Sequence, residues 1–233
     1  MDEATSRSRY DEIRAAVPGA FVNPPDAAIK LLLDPADVSK AEQAVSQTLA
    51  KVGLSTSWAR TGVAYEDQYM LIVRDAVCLA NGELGTYVRT IDSGRGAGVV
   101  ILPRHRGKVV LIDHFRHSTR SWHLEIPRGF GTPGRTPEED ARRELKEEIG
   151  VLPTTLESLG VLYPDTGLHG AAVYLFCAEV EDTPSITDKK EGIRAIRFVP
   201  PGELSRLIRD GEINDGFTMA AYTRAILRRF LPA

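Results

Sequence analysis

One stretch limits what this chain can fold into more than any other: residues 129–151, GFGTPGRTPEEDARRELKEEIGV. Its Gly/Pro-rich first part reads as a loop, and Thr136-Pro137-Glu138-Glu139 reads as the start of a helix. Thr136 suits the N-cap, Pro137 suits N1, where no N–H is needed, and Glu139 falls three residues after the cap to complete a capping box. Gly150 supplies the stop. Ala141, Leu145 and Ile149 recur every four residues as an apolar face. Glu144, Glu147 and Glu148, at i, i+3 and i+4, are expected to converge on the opposite side.

Carboxylates this close repel one another unless cations sit among them. A cluster of oxygen donors suits a hard divalent ion such as Mg²⁺, which takes a few carboxylates and completes its shell with water and substrate phosphate. The same run also suits a solvated acidic face paired with Arg142, Arg143 and Lys146. The caps and the flanking loop favour the metal site.

With 233 residues the chain holds one substantial domain, or a domain with a modest extension. A net charge of -3 offers no electrostatic basis for binding nucleic acid. Cys78 and Cys177 lie in apolar, strand-like runs and read as buried thiols rather than a disulfide framework. The first residues, MDEATSRSRYDEIR, carry no apolar signal region, and no run is long enough to span a membrane, so a cytoplasmic protein is expected.

Residues 1–55 read as a helical extension, with a first helix around Tyr10–Arg14 ending before Pro18 and a short helix over 26–33. A helix over 35–52 is capped by Asp34, with Pro35 at N1 and a stripe of Val38, Ala41, Val45, Leu49 and Val52. From residue 56 strands dominate. Segments 69–79 and 85–91 flank Asn81-Gly82, a strong hairpin signal, and 97–102 and 108–115 flank the polar turn 104–107. Segments 171–179 and 193–199 read as strands around a polar loop at 181–192, and 201–209 and 217–230 as helices. Strands and helices alternate irregularly, which predicts an α+β class.

The opening stretch resembles the Nudix box, G-x5-E-x7-R-E-U-x-E-E-x-G-U with U a bulky aliphatic residue. Gly129, Arg143, Glu144, Leu145, Glu147, Glu148, Gly150 and Val151 match, and Arg135 stands where the first glutamate belongs. The resemblance extends over roughly 62–230 and is strongest to the ADP-ribose pyrophosphatase-like group. Residues 65–91 are similar to that group's N-terminal hairpin, and 110–116 (VLIDHFR) to its strand ending in Q-Y-R. The lead-in WHLEIPRG at 122–129 is similar to W-x-x-E-(L/I)-P-A-G, YPDTG at 163–167 to Y-P-S-P-G, and NDGFT at 214–218 to the turn before the last helix.

The resemblance implies a Nudix fold, a mixed β-sheet between helices in an α/β/α sandwich, over 56–233, with 1–55 as an N-terminal helical extension. It implies hydrolysis of a nucleoside diphosphate linked to another group, such as ADP-ribose or a nucleotide sugar, with Mg²⁺ or Mn²⁺. Carried over by position, Glu144, Glu148 and the Arg128 carbonyl are metal ligands, Glu147 supports them, and Arg143 pins a ligand carboxylate. Glu191 is the candidate general base, with Glu181, Asp182 and Asp188 as competitors. Arg116 is expected either to contact substrate or to form a surface ion pair, Glu125 to face metal or substrate, and Trp122 to stack on a base or to serve in packing. A homodimer is expected by the same resemblance.

Arg135 either weakens the metal site by adding positive charge near Arg143 or contacts substrate phosphate, and Glu138 or Glu139 is a candidate for compensation. Ala171 occupies the position of the group's usual downstream glutamate. The spacing of His114, His117 and His123, with no cysteine nearby, is a poor match to a zinc site. No nucleophile elbow, P-loop or dinucleotide glycine pattern is present. Two function classes follow: a metal-dependent pyrophosphohydrolase, and a Nudix-like module that binds a nucleotide without turning it over. The retained Glu144, Glu147 and Glu148 favour the enzyme, because a pure binder has no need of crowded carboxylates.

Overall fold

The computed structural model describes residues 3–92, 96–187, 190 and 192–232, and divides into two compact units. Unit 1 comprises Met1–Ser93 and Asp165–Ala171; unit 2 comprises Gly94–Pro164 and Ala172–Ala233. No described helix is long and apolar enough to cross a membrane.

In unit 1, α1 (Glu3–Ala16), β1 (Lys30–Leu32), α2 (Pro35–Lys51), β2 (Gly62–Glu66), β3 (Leu71–Cys78) and β4 (Leu84–Ile91) build an antiparallel sheet with two helices. β4 pairs the whole of β3, while β2 and β1 share its other edge. The β3–β4 turn forms at Asn81-Gly82: Gly82 takes φ +85°, and the Asn81 side chain accepts from the Glu83 N–H. Asp34 caps α2 as expected, accepting from the Ala36 N–H.

The helix expected over 26–33 is corrected. Lys30–Leu32 is a strand on β3, and Asn23 clamps its backbone, accepting from Leu31 N–H at 2.7 Å and donating to Leu31 O at 2.9 Å. An apolar run of this length carries no period that separates strand from helix, and the open β3 edge decides. The division expected after residue 55 also differs from the boundary between units. Residues 1–55 share unit 1 with β2–β4, because α1 is tied to β2 and α2 to Thr61 just ahead of it. Ser6 donates to Val63 O at 2.8 Å, and Glu42 accepts from Thr61 N and Oγ1 while pairing with Arg7.

In unit 2, β5 (Gly98–His105) and β6 (Lys108–Arg116) join through a two-residue turn. Arg106 and Gly107 there both take positive φ, as a type I′ hairpin requires. The two strands pair only beside that turn. Farther along, β7 (Ser121–Glu125) pairs β6 and β8 (Arg128–Gly129) pairs β5, so the segment leading into the box runs through the split. After α3 (Pro137–Ile149) come β9 (Thr155–Leu162), β10 (Val173–Glu179), β11 (Ile193–Val199), α4 (Pro201–Arg209) and α5 (Gly216–Leu227). The sheet order is β11-β6-β5-β10-β9, with β10 parallel to β5 and β9 antiparallel to β10. Strand β9 has no counterpart in the sequence reading; its alternation is too polar to stand out.

Strand alternation then builds two cores. Val99, Ile101, Val110, Ile112, Phe176 and Ala178 pack with Ala141, Leu145 and Ile149 of α3. Their neighbours Val100, Leu102, Val109, Leu111, Leu175 and Cys177 pack with Leu204, Leu207, Ala221, Tyr222 and Ala225 of α4 and α5. A period of two puts alternate residues on opposite faces, so the mixed sheet lies between helices as an α/β/α sandwich.

Candidate active site

Helix α3 forms where expected, with the full capping box: Thr136 Oγ1 accepts from the Glu139 N–H, and Glu139 accepts from the Thr136 N–H. Gly150 ends it in the left-handed conformation at φ +74°. Which side the carboxylates take is corrected. Glu144 (8% exposed) and Glu148 (1%) lie on the buried side with Ala141, Leu145 and Ile149, while the Glu147 side chain stays 54% exposed. Seven residues turn a 3.6-residue helix to within about 20° of the starting direction, so Glu148 falls in line with Ala141. Four-residue spacing alone hides this.

The loop is pressed onto that face. A Cβ built on Gly129 would overlap the Glu144 carboxylate, so any larger residue there forces that carboxylate to move. Asp140, buried and absent from the sequence reading, accepts from the Thr132 N–H at 2.8 Å and from Arg143 Nε at 3.2 Å. Its signal was its place three residues before Arg143. Arg143 also donates to Phe130 O at 2.8 Å and pairs with Glu144 at 2.8 Å and Glu147 at 2.6 Å. One guanidinium therefore holds the loop, two buried carboxylates and an exposed one. Burial opposes its charge, but Glu144, Glu147 and Asp140 outweigh this and hold its pKa above the ordinary value.

Behind the loop, Glu125 is fully buried and surrounded by cationic side chains. Its Oε1 takes the Arg116 guanidinium and lies 3.3 Å from His114 Nδ1, and its Oε2 lies 3.3 Å from Arg128. Burial alone would raise its pKa. The His114 ring beside it, the Arg116 hydrogen bond and the charge of Arg128 outweigh that and lower it. Of the two roles expected for Arg116 the ion pair is present, and it is three-quarters buried rather than on the surface. Arg128 reaches on to Asp215, the N-cap of α5, at 3.0 Å.

Arg135 is exposed, with no side-chain hydrogen bond or ion pair among the described residues; only its backbone N–H is engaged, on Thr132 O. Glu139 is committed to the cap, and Glu138 is exposed. Glu191 and Asp188 lie outside the described residues, and Glu181 and Asp182 are exposed. The loop before them is fastened to the end of α3: Ser185 N–H donates to Ile149 O at 2.9 Å, and Thr187 Oγ1 donates to Glu147 O. Trp122 packs edge-on against Phe115, with the Arg194 guanidinium 4.0 Å above its ring. His123 meets Asn214 at 3.1 Å and the exposed His117 meets Arg120 at 2.8 Å, while buried His114 faces Glu125.

Residues 92–220 match the family model of the NUDIX domain. The chain belongs to the Nudix family. An ADP-ribose pyrophosphatase of Bacillus subtilis (strain 168) is 30% identical over 168 residues, covering 70% of this chain and 88% of that protein. A GDP-mannose pyrophosphatase of Yersinia pestis (strain Pestoides F) is 31% identical over 148 residues, covering 58% of this chain and 74% of that protein. A solved structure titled as an ADP compounds hydrolase superposes with a TM-score of 0.63 at 22% identity, covering 73% of this chain and 90% of that one. The Nudix fold is shared.

Nudix chemistry implies a divalent metal, and the donor set here fits one. Two carboxylates are buried on successive turns of one helix beside a glycine at which an added Cβ would displace one of them, and all the donors are oxygen. Among the described residues no three carboxylate, imidazole or thiolate groups already stand as a metal cluster, and Arg143 pairs with both Glu144 and Glu147.

Proposed function

We propose that this Nudix chain is a Mg²⁺-dependent pyrophosphohydrolase that cleaves the diphosphate of a nucleoside diphosphate derivative, with ADP-ribose or a nucleotide sugar as substrate. The observation that carries this reading is the pair of buried carboxylates, Glu144 and Glu148, on a capped helix with Gly129 pressed against the first. Relatives named for ADP-ribose and GDP-mannose pyrophosphatase activity support the substrate class.

Glu144, Glu148 and the Arg128 carbonyl would hold Mg²⁺ (or Mn²⁺), with Glu147 at the exposed rim. Bound there, such an ion would supply charge neutralisation of the diphosphate and would acidify a water nucleophile. Arg143 keeps Glu144 from swinging away through its ion pair at 2.8 Å. Glu191 takes the proton from the attacking water, and the attachment of the preceding loop to the end of α3 supports this role. Arg116 contacts substrate phosphate, fixed in place by its bond to Glu125. Arg135, exposed and free of a described partner, is the second candidate for a phosphate contact.

The test is a panel of ADP-ribose, GDP-mannose, other nucleotide sugars and dinucleoside polyphosphates with Mg²⁺ and with Mn²⁺. Release of a nucleoside monophosphate from ADP-ribose or a nucleotide sugar is expected. Binding without cleavage under both metals would make the non-hydrolysing module the correct reading, with Arg135 at the first box glutamate position as its sequence basis.

A further inference from the structure

The guanidinium of Arg128 spans two elements. Its Nη2 lies 3.3 Å from Glu125 Oε2 and its Nη1 lies 3.0 Å from Asp215 Oδ1, and it sits over the Phe217 ring at 4.7 Å. Asp215 accepts from Thr218 N–H and Oγ1, and Thr218 Oγ1 in turn accepts from the Ile126 N–H at 3.2 Å. These bonds close a ring from Glu125 through Arg128, Asp215 and Thr218 back to Ile126. The ring fastens residues 125–128 to the first turn of α5. Ordinary capping of α5 needs only Asp215 and Thr218; it needs neither Arg128 nor Glu125.

We infer that the Arg128 side chain is a positioning residue for the metal platform, fixing the Arg128–Gly129 backbone against Glu144 by bridging Glu125 and Asp215. Residue 128 then serves twice: its main chain is the candidate ligand, and its side chain holds that main chain in place. Arginine suits this role because its planar fork can serve two carboxylates at once and still stack on an aromatic ring, which lysine cannot do. Asp215 and Glu125 are both largely buried, so loss of the guanidinium leaves Asp215 with no cation among the described residues and Glu125 with Arg116 alone, and loosens the strand between them.

This inference rests on the proposed metal site, and the experiment separates the two. Mn²⁺ binding to the full-length protein is titrated by electron paramagnetic resonance, without substrate, for wild type, Arg128→Ala, Arg128→Lys and Asp215→Asn. Asparagine caps a helix as well as aspartate does, so Asp215→Asn removes the charge partner while keeping α5 capped. Arg128→Ala and Asp215→Asn are expected to weaken Mn²⁺ binding by about tenfold, the usual effect of losing a partner behind a ligand, with little restored by lysine. Their double variant should weaken it no further than either alone. Unchanged Mn²⁺ affinity in both single variants, whatever their melting temperatures, overturns the positioning role. Absence of Mn²⁺ binding in the wild type overturns the metal site itself, and this role with it.

Discussion

At the scale of single residues, the decisive facts concern charge and burial. Glu148 is 1% exposed on the same helix face as Glu144, and Glu147 stands outside on the rim. Glu148→Gln preserves volume but removes one anionic donor. It is expected to lower kcat/KM at least about a hundredfold while shifting Tm by no more than about 4 °C. Turnover within twofold of wild type would refute the ligand role. Arg135 is a different case, since it is exposed and its side chain bonds to nothing described. If it is only an altered box position, Arg135→Glu should tighten Mn²⁺ binding by roughly two- to fivefold through long-range charge alone. A rise in KM with unchanged metal affinity would assign Arg135 to the substrate instead. The box motif identified Glu144, Glu147, Glu148 and Arg143. It gave no hint of Asp140, whose role depends on the loop folding back to place the Thr132 N–H within 2.8 Å.

At the scale of elements, α3 is the part most fully written into its own residues. Its cap, its first-turn proline and its stopping glycine act within a few positions of one another, so local sequence decides them. Thr136→Ala should cost about 1 kcal/mol, measured as a shift in the urea midpoint, with activity largely retained. Gly129→Ala should behave in the opposite way. Its Cβ would displace the Glu144 carboxylate, so metal affinity and turnover should collapse even where the fold survives. Near-native activity in Gly129→Ala would show that the loop does not press on Glu144 as described. Two hairpins were legible, because Gly82 in one turn and Arg106-Gly107 in the other supply the positive φ that these turns require, although the second turn is shorter than the polar run 104–107. Lys30–Leu32 was not, since its conformation comes from β3 and from Asn23 rather than from its own three residues.

At the scale of the whole molecule, each unit has its own core: Ile13, Phe21, Val63, Val73 and Ile91 in unit 1, and the two faces of the mixed sheet in unit 2. Cys177 lies inside unit 2, and burial pushes its thiol up to about 11, whereas Cys78 in unit 1 is half-buried. In native protein at pH 7.5 a maleimide should therefore label Cys78 first and leave Cys177 untouched until denaturant is added. Equal labelling rates would mean that unit 2 opens readily. By resemblance the protein is expected to be a homodimer, and light scattering coupled to size exclusion tests this. The sequence by itself determined the family, the box helix with its caps, the hairpins and the set of candidate ligands, because each is encoded within a few neighbouring residues. Only the tertiary structure decided that Glu144 and Glu148 turn inward while Glu147 stays out. It alone placed Glu125 beneath Arg116 and Arg128, and joined Arg128 to Asp215 across 87 positions of chain. Those outcomes follow from burial and from contacts between distant segments, which spacing along the chain does not carry.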